Sequence, residues 1–81
     1  MIEPEVIVEK IQAALPGAEV AVQDLTGTKD HYKARVVADQ FEGKMLVARH
    51  RMVYGALKEE MKGPIHALTL DVYTPDEWAN Q

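Results

Sequence analysis

Apolar residues recur along the chain with two different periods, and the places where the period changes mark out six elements. From Glu3 to Leu15 they return every three or four residues. Ile7, Ile11, Ala14 and Leu15 then form one stripe of a helix. Pro4 suits its first turn, Glu3 and Glu5 suit the positive end of its dipole, and Pro16-Gly17 stops it. From Glu19 to Leu25 the period shortens to two, with Val20 and Val22 alternating with Glu19, Ala21 and Gln23. That predicts a half-buried strand. Thr26-Gly27-Thr28-Lys29-Asp30 reads as a turn. A second strand is expected from His31 to Ala38, with Tyr32, Ala34 and Val36 on one face and Lys33 and Arg35 on the other. The two strands should pair as an antiparallel hairpin.

After Phe41-Glu42-Gly43 the helical period returns over residues 48–62, with an irregular turn at Lys44 to Val47. The expected apolar stripe is Leu46, His50, Val53, Leu57 and Met61, with Ala56 beside it. Gly63-Pro64 ends this helix. Ile65 to Tyr73 reads as a third strand. Thr74-Pro75-Asp76-Glu77 then has the pattern of a capping box: a capping threonine, proline at the first helical position and glutamate three residues on. Trp78 is expected to fold back on the domain. The order α-β-β-α-β-α makes an α+β fold, a single domain over residues 1–81 with a mixed three-stranded sheet. A helix joins the second strand to the third, so those two should run parallel. This is the layout of a KH-like domain of the second type.

Composition narrows the chemistry. The chain has 81 residues, enough for one core, and is 47% hydrophobic, too apolar for a disordered segment. No apolar run is long enough to span a bilayer, and MIEPEVIVEK resembles neither a secretory signal nor an Arg-rich transit peptide. The expectation is a cytoplasmic protein with no membrane role. Cysteine and serine are both absent, which removes the two commonest side-chain nucleophiles and every thiolate ligand. No acid–base pair of carboxylates and no glycine-rich phosphate loop stands out. The chain is not expected to be an enzyme.

The remaining candidates are three histidines and a basic stretch. His31, His50 and His66 are spaced 19 and 16 residues apart, which matches no local metal motif. His50 falls on the expected apolar stripe and is read as a packed structural residue. His31 reads as a polar strand-end residue. His66 heads the row Leu68, Leu70, Val72 by period-2 alternation. Its ring needs a partner, either a carbonyl of the preceding turn or a metal at the rim, and spacing alone leaves both open.

The net charge of −4 hides a basic middle: residues 31–62 carry seven Lys and Arg against four acids. Arg49, Arg51 and Lys58 are candidate nucleic-acid contacts, or simply a solvated helix face. KH domains clamp nucleotides with a Gly-x-x-Gly loop. No two glycines here stand three apart, and the acidic total opposes non-specific binding.

Several blocks taken together resemble the BolA family: Asp30-His31-Tyr32-Lys33-Ala34-Arg35-Val36-Val37, Phe41-Glu42-Gly43-Lys44, Arg49-His50-Arg51-Met52-Val53-Tyr54, Ala56-Leu57-Lys58-Glu59-Glu60, Pro64-Ile65-His66-Ala67-Leu68 and Tyr73-Thr74-Pro75-Asp76-Glu77-Trp78. They agree in order and spacing from about residue 19 to residue 78. The resemblance implies a KH-like BolA fold and a non-enzymatic adaptor. It implies a monothiol glutaredoxin as partner and a 2Fe–2S cluster shared with that glutaredoxin and glutathione, in cluster trafficking or iron and redox sensing. By alignment His66 is the implied cluster ligand. The second ligand found in many members, a Cys or His in the hairpin loop, is missing here, and His31 is the nearest substitute. Thr28, Lys29 and Asp30 of that loop are the implied partner-binding residues. No cluster is expected on the isolated protein. The alternative from the same resemblance is a DNA-binding transcriptional regulator using Arg49, Arg51 and Lys58. Whether the protein forms a homodimer is left open.

Overall fold

Helix α1 runs over Pro4–Ala14 in the computed structural model, in which residues 2–25, 27, 31–63, 65 and 67–81 are described. Proline occupies its first turn, where the missing N–H costs nothing. Ile7 and Ile11 face inward at 0% exposure, and Leu15 follows them as the helix ends. Ala14, expected on the same stripe, is exposed. Three apolar residues spaced by four suffice to cover the sheet at this point, and Ala14 lies just off their line. Gly17, at φ +84, takes the left-handed turn that releases the chain into β1, Glu19–Asp24.

Strand β2 spans His31–Val37 and pairs antiparallel with β1, from Glu19 opposite Val37 to Asp24 opposite Tyr32. The hairpin is closed by a bond from the Leu25 N–H to the His31 carbonyl, 2.9 Å. Strand β3, Ala67–Tyr73, lies parallel to β2, with His31 opposite Ala67 and Val37 opposite Tyr73. The sheet order is β1-β2-β3. Alternation decides which side chains enter the core: Tyr32, Ala34 and Val36 of β2 and Leu70 and Val72 of β3 are buried, with Leu68 partly so.

Between these strands a 3-10 turn at Asp39–Phe41 drops Phe41 into the core at 0% exposure. Helix α2 then runs over Leu46–Ala56 and a short helix α3 over Lys58–Met61. The expected single helix over 48–62 is thus two pieces. At Leu57 the N–H is shared between the Val53 and Tyr54 carbonyls, at 3.3 and 3.1 Å, which tightens the last turn of α2 and breaks the ladder. The expected stripe is also out of phase. Val53 and Leu57 are buried, but Leu46 is 61% exposed and His50 is only half-buried. The inward place one turn before Val53 belongs to Arg49, at 8% exposure. Helix α4, Pro75–Ala79, closes the chain with the expected capping box complete at Thr74 and Glu77.

One cluster gathers buried apolar residues of α1, α2, β2 and β3, with the partly buried Val20 and Val22 of β1 packed against it. Each fully buried Ile, Leu, Val or Phe adds roughly 1.5–3 kcal/mol of transfer free energy, so this layer between helices and sheet carries the fold.

Candidate functional site

The amino-terminal ends of the two parallel strands lie side by side. His31 opens β2, is half-buried, and stands in register with Ala67, the residue that follows His66 in sequence. Just upstream, Ile65 is buried at 2% exposure, and its N–H donates to the Glu60 carbonyl at 3.0 Å. The Glu60 carboxylate accepts from Lys10 Nζ at 3.0 Å, which ties α3 to α1 and holds Glu60 below the usual carboxylate range. The chain is therefore anchored by Ile65 on the way to β3. His66 itself lies outside the described residues, as do Thr28, Lys29 and Asp30.

At the hairpin, the Gly27 N–H donates to Asp24 Oδ1 at 3.1 Å, with Gly27 at φ +76. This Asx-type bond sets the first corner of the loop that leads to His31. Among the described residues no group of three or more His, Cys, Asp or Glu side chains could hold a metal ion.

The basic stretch does not form one surface. Arg51 and Lys58 are exposed, whereas the Arg49 side chain turns inward. Its Nη1 and Nη2 donate to Glu77 Oε1 and Oε2 at 2.7 and 3.2 Å, and its Nε donates to the Lys44 carbonyl at 2.9 Å. The guanidinium carbon also sits 5.7 Å from the centroid of the Phe41 ring. A guanidinium engaged this way has no free edge for a phosphate, so Arg49 is corrected from surface contact to internal clasp. Glu77 serves twice, since Oε1 also accepts from the Thr74 N–H at 2.9 Å. The Arg49 guanidinium, helped by that backbone donor, draws the Glu77 carboxyl down to about 2. Glu77 likewise pushes Arg49 above its ordinary value.

His50 is corrected in the opposite sense, from the inward stripe to a half-buried flank. It lies away from the core on α2, its ring edge-on to Tyr54 at 6.3 Å between centroids. The Tyr54 hydroxyl donates to the Leu68 carbonyl of β3 at 3.4 Å. Where α2 begins, Met45, Leu46 and Val47 are 82%, 61% and 64% exposed, an apolar ridge of which periodicity assigns Leu46 inward.

Comparison with known proteins agrees with this architecture. The family model described as BolA-like protein matches residues 5–77. The chain belongs to the BolA family. It is 38% identical over 81 residues to the DNA-binding transcriptional regulator BolA of Escherichia coli, covering 91% of this chain and 77% of that protein. It matches 38% of the length of human BolA-like protein 1, at 44% identity over 52 residues. Among solved structures, a BolA homologue from Coxiella burnetii superposes with a TM-score of 0.84 at 36% identity, covering 98% of this chain and 99% of that one. A bol-like protein from Babesia bovis gives 0.86 at 34% identity, covering 99% and 93%. The α-β-β-α-β-α order with a mixed sheet is thus the BolA fold. Among the described residues no helix is long and apolar enough to cross a membrane.

Proposed function

We propose that this BolA-family chain is a non-enzymatic, cytoplasmic adaptor that docks on a monothiol glutaredoxin and shares a 2Fe–2S cluster with it. His66 is the proposed cluster ligand, His31 a second ligand or its near neighbour, and Thr28, Lys29 and Asp30 part of the partner contact. The observation that carries the reading is the parallel register, in which His31 stands opposite Ala67, directly after His66 in sequence. The proposed ligands are thus a histidine that opens β2 and the histidine that precedes Ala67 in sequence.

The donor set fits a shared cluster. The chain has no cysteine, so it can offer imidazole and not the thiolates that complete a 2Fe–2S ligand set. Those come from the glutaredoxin cysteine and glutathione. When bound, such a cluster supplies a transferable iron–sulfur unit whose potential rises as imidazole replaces thiolate. Histidine ligation is also reversed by protonation near neutral pH, which suits transfer or sensing.

Anaerobic co-expression with a monothiol glutaredoxin tests this reading. The expected result is a coloured heterocomplex whose absorption and circular dichroism spectra differ from those of the glutaredoxin alone, while the isolated chain purifies colourless. A stoichiometric 2Fe–2S centre on the isolated chain contradicts it. The name of the Escherichia coli relative favours a second reading, a DNA-binding regulator. Arg51 and Lys58 remain available for it and Arg49 does not. Affinity falling steeply with salt, in proportion to the phosphates neutralised, is the mark of that reading.

A further inference from the structure

The face of the sheet turned away from the helices carries a second cluster of functional groups that the cluster-sharing reading does not use. Lys33 and Arg35 of β2 project there, as their alternation with the buried Tyr32, Ala34 and Val36 requires. Trp78 of α4 folds onto the same face. Its ring meets that of Tyr73 at 5.3 Å, and the Arg35 guanidinium carbon lies 4.3 Å from the centroid of the indole. Stacking of this kind fixes a guanidinium without using its hydrogen-bond donors.

Arg35 also lacks an acid. Its cross-strand neighbour is Asp71, but the Asp71 carboxylate pairs with Lys33 Nζ at 3.5 Å instead. Among the described residues the Arg35 side chain has no hydrogen bond or ion pair, and its Nε is buried with no partner. Beside it a shallow depression of about 300 Å³ opens, lined by Ala21, Val22, Gln23, Lys33, Arg35 and Asp71. A pre-oriented fork of donors, a second cation and a side-chain amide thus border one small concave space. Asp71 leaves a single net positive charge there, counting Lys33 and Arg35 against it.

We propose that this depression is an oxyanion site that takes one phosphate group, held by the Arg35 guanidinium with Lys33 and Gln23 as secondary donors. The planar fork of arginine matches the oxygens of phosphate and binds them in pairs. The overall charge of −4 opposes a long polyanion, and the small depression suits a single phosphate. That phosphate can be free or carried by a mononucleotide, and both sources present the same oxygens.

The test is an amide-shift NMR titration of the whole chain with inorganic phosphate and, separately, with AMP, at low ionic strength. Saturable shifts at residues 21–23 and 33–35 and at the Trp78 indole are expected with at least one of them. Tighter binding of AMP assigns the phosphate to a nucleotide, and equal binding assigns it to free phosphate. Arg35→Gln should weaken binding roughly tenfold or more, as loss of a charge-assisted pair requires. Lys33→Gln should weaken it by about two- to threefold, as for an exposed charge. Should Arg35→Gln fail to fold, the Lys33→Gln titration still decides, because unchanged affinity there overturns the site. Wild-type affinity in a folded Arg35→Gln protein, or no saturable shift at these residues with either probe, also overturns it and leaves the arginine as a clasp for α4.

Discussion

Two arginines rest against aromatic rings on opposite faces of one sheet, and their surroundings differ in every other respect. Arg49 is 8% exposed and places three donors on two acceptor groups, the Glu77 carboxylate and the Lys44 carbonyl. Arg35 is half-buried, stacks on Trp78 and has no acid partner among the described residues. Glu77 and Trp78 are consecutive, so α4 reaches around the end of the sheet and touches both faces. The inner contact is satisfied on both sides, which is what a structural clasp needs. The outer contact leaves donors unspent, which is what a binding site needs. A charged residue in a family block is therefore not evidence of a ligand contact until its partners are counted.

Arg49→Ala should have the largest effect on stability. It removes three hydrogen bonds at a buried position and strands the Lys44 carbonyl, a loss on the order of 1–3 kcal/mol. Urea unfolding would measure it, and a midpoint equal to that of the parent would dissolve the contrast between the two arginines. Glu77→Gln should cost less, because the Glu77 side chain is 48% exposed and the amide can still cap Thr74.

The pH dependence follows from the depressed Glu77 carboxyl. A group whose folded value lies below its unfolded value binds fewer protons in the folded state, so its contribution is complete above the unfolded value. For Glu77 that contribution is present above about 4.5 and is lost as pH falls towards about 2. Unfolding midpoints of the parent should drop across that window, and Glu77→Gln should show a visibly shallower drop.

Arg35→Gln should be milder still. A cation–π contact near the surface is worth about 0.5–1 kcal/mol, and a loss as large as that of Arg49→Ala would make Arg35 a second structural clasp. Arg51→Ala and Lys58→Ala should be smallest, within about 0.5 kcal/mol, since both side chains are exposed. These two substitutions carry the DNA-binding reading. A reduced salt slope of DNA affinity in them, absent in the parent's glutaredoxin binding, would sharpen it.

The strands were legible in the sequence because period-2 alternation maps directly onto a sheet with one covered face. Tyr32, Ala34 and Val36 are buried as read, and Lys33 and Arg35 lie opposite. The capping box was legible because its partners are three residues apart. The phase of α2 was not. Apolar periodicity sends Leu46 inward and Arg49 outward, and only a carboxylate 28 residues away reverses that choice. Such a partner leaves no local signature. The exposed ridge of Met45, Leu46 and Val47 was missed for the same reason. At the amino-terminal end of the parallel strands, the topology predicted that β2 and β3 run parallel, but the register that sets His31 opposite Ala67 came only from the structure. His66 entered through family resemblance, and the apolar row it precedes is consistent with that assignment without requiring it.

The central claim is that His66 binds a shared cluster, and His66→Ala tests it most directly. The row Leu68, Leu70 and Val72 is untouched by the substitution, so the variant should fold with a modest loss of stability. It should still form the apo complex with a monothiol glutaredoxin. The measurement is the visible circular dichroism of the reconstituted 2Fe–2S complex. The account predicts a less stable cluster and a spectrum that reverts towards that of an all-thiolate glutaredoxin homodimer. A well-folded His66→Ala complex with the parent's spectrum and cluster lifetime would contradict it.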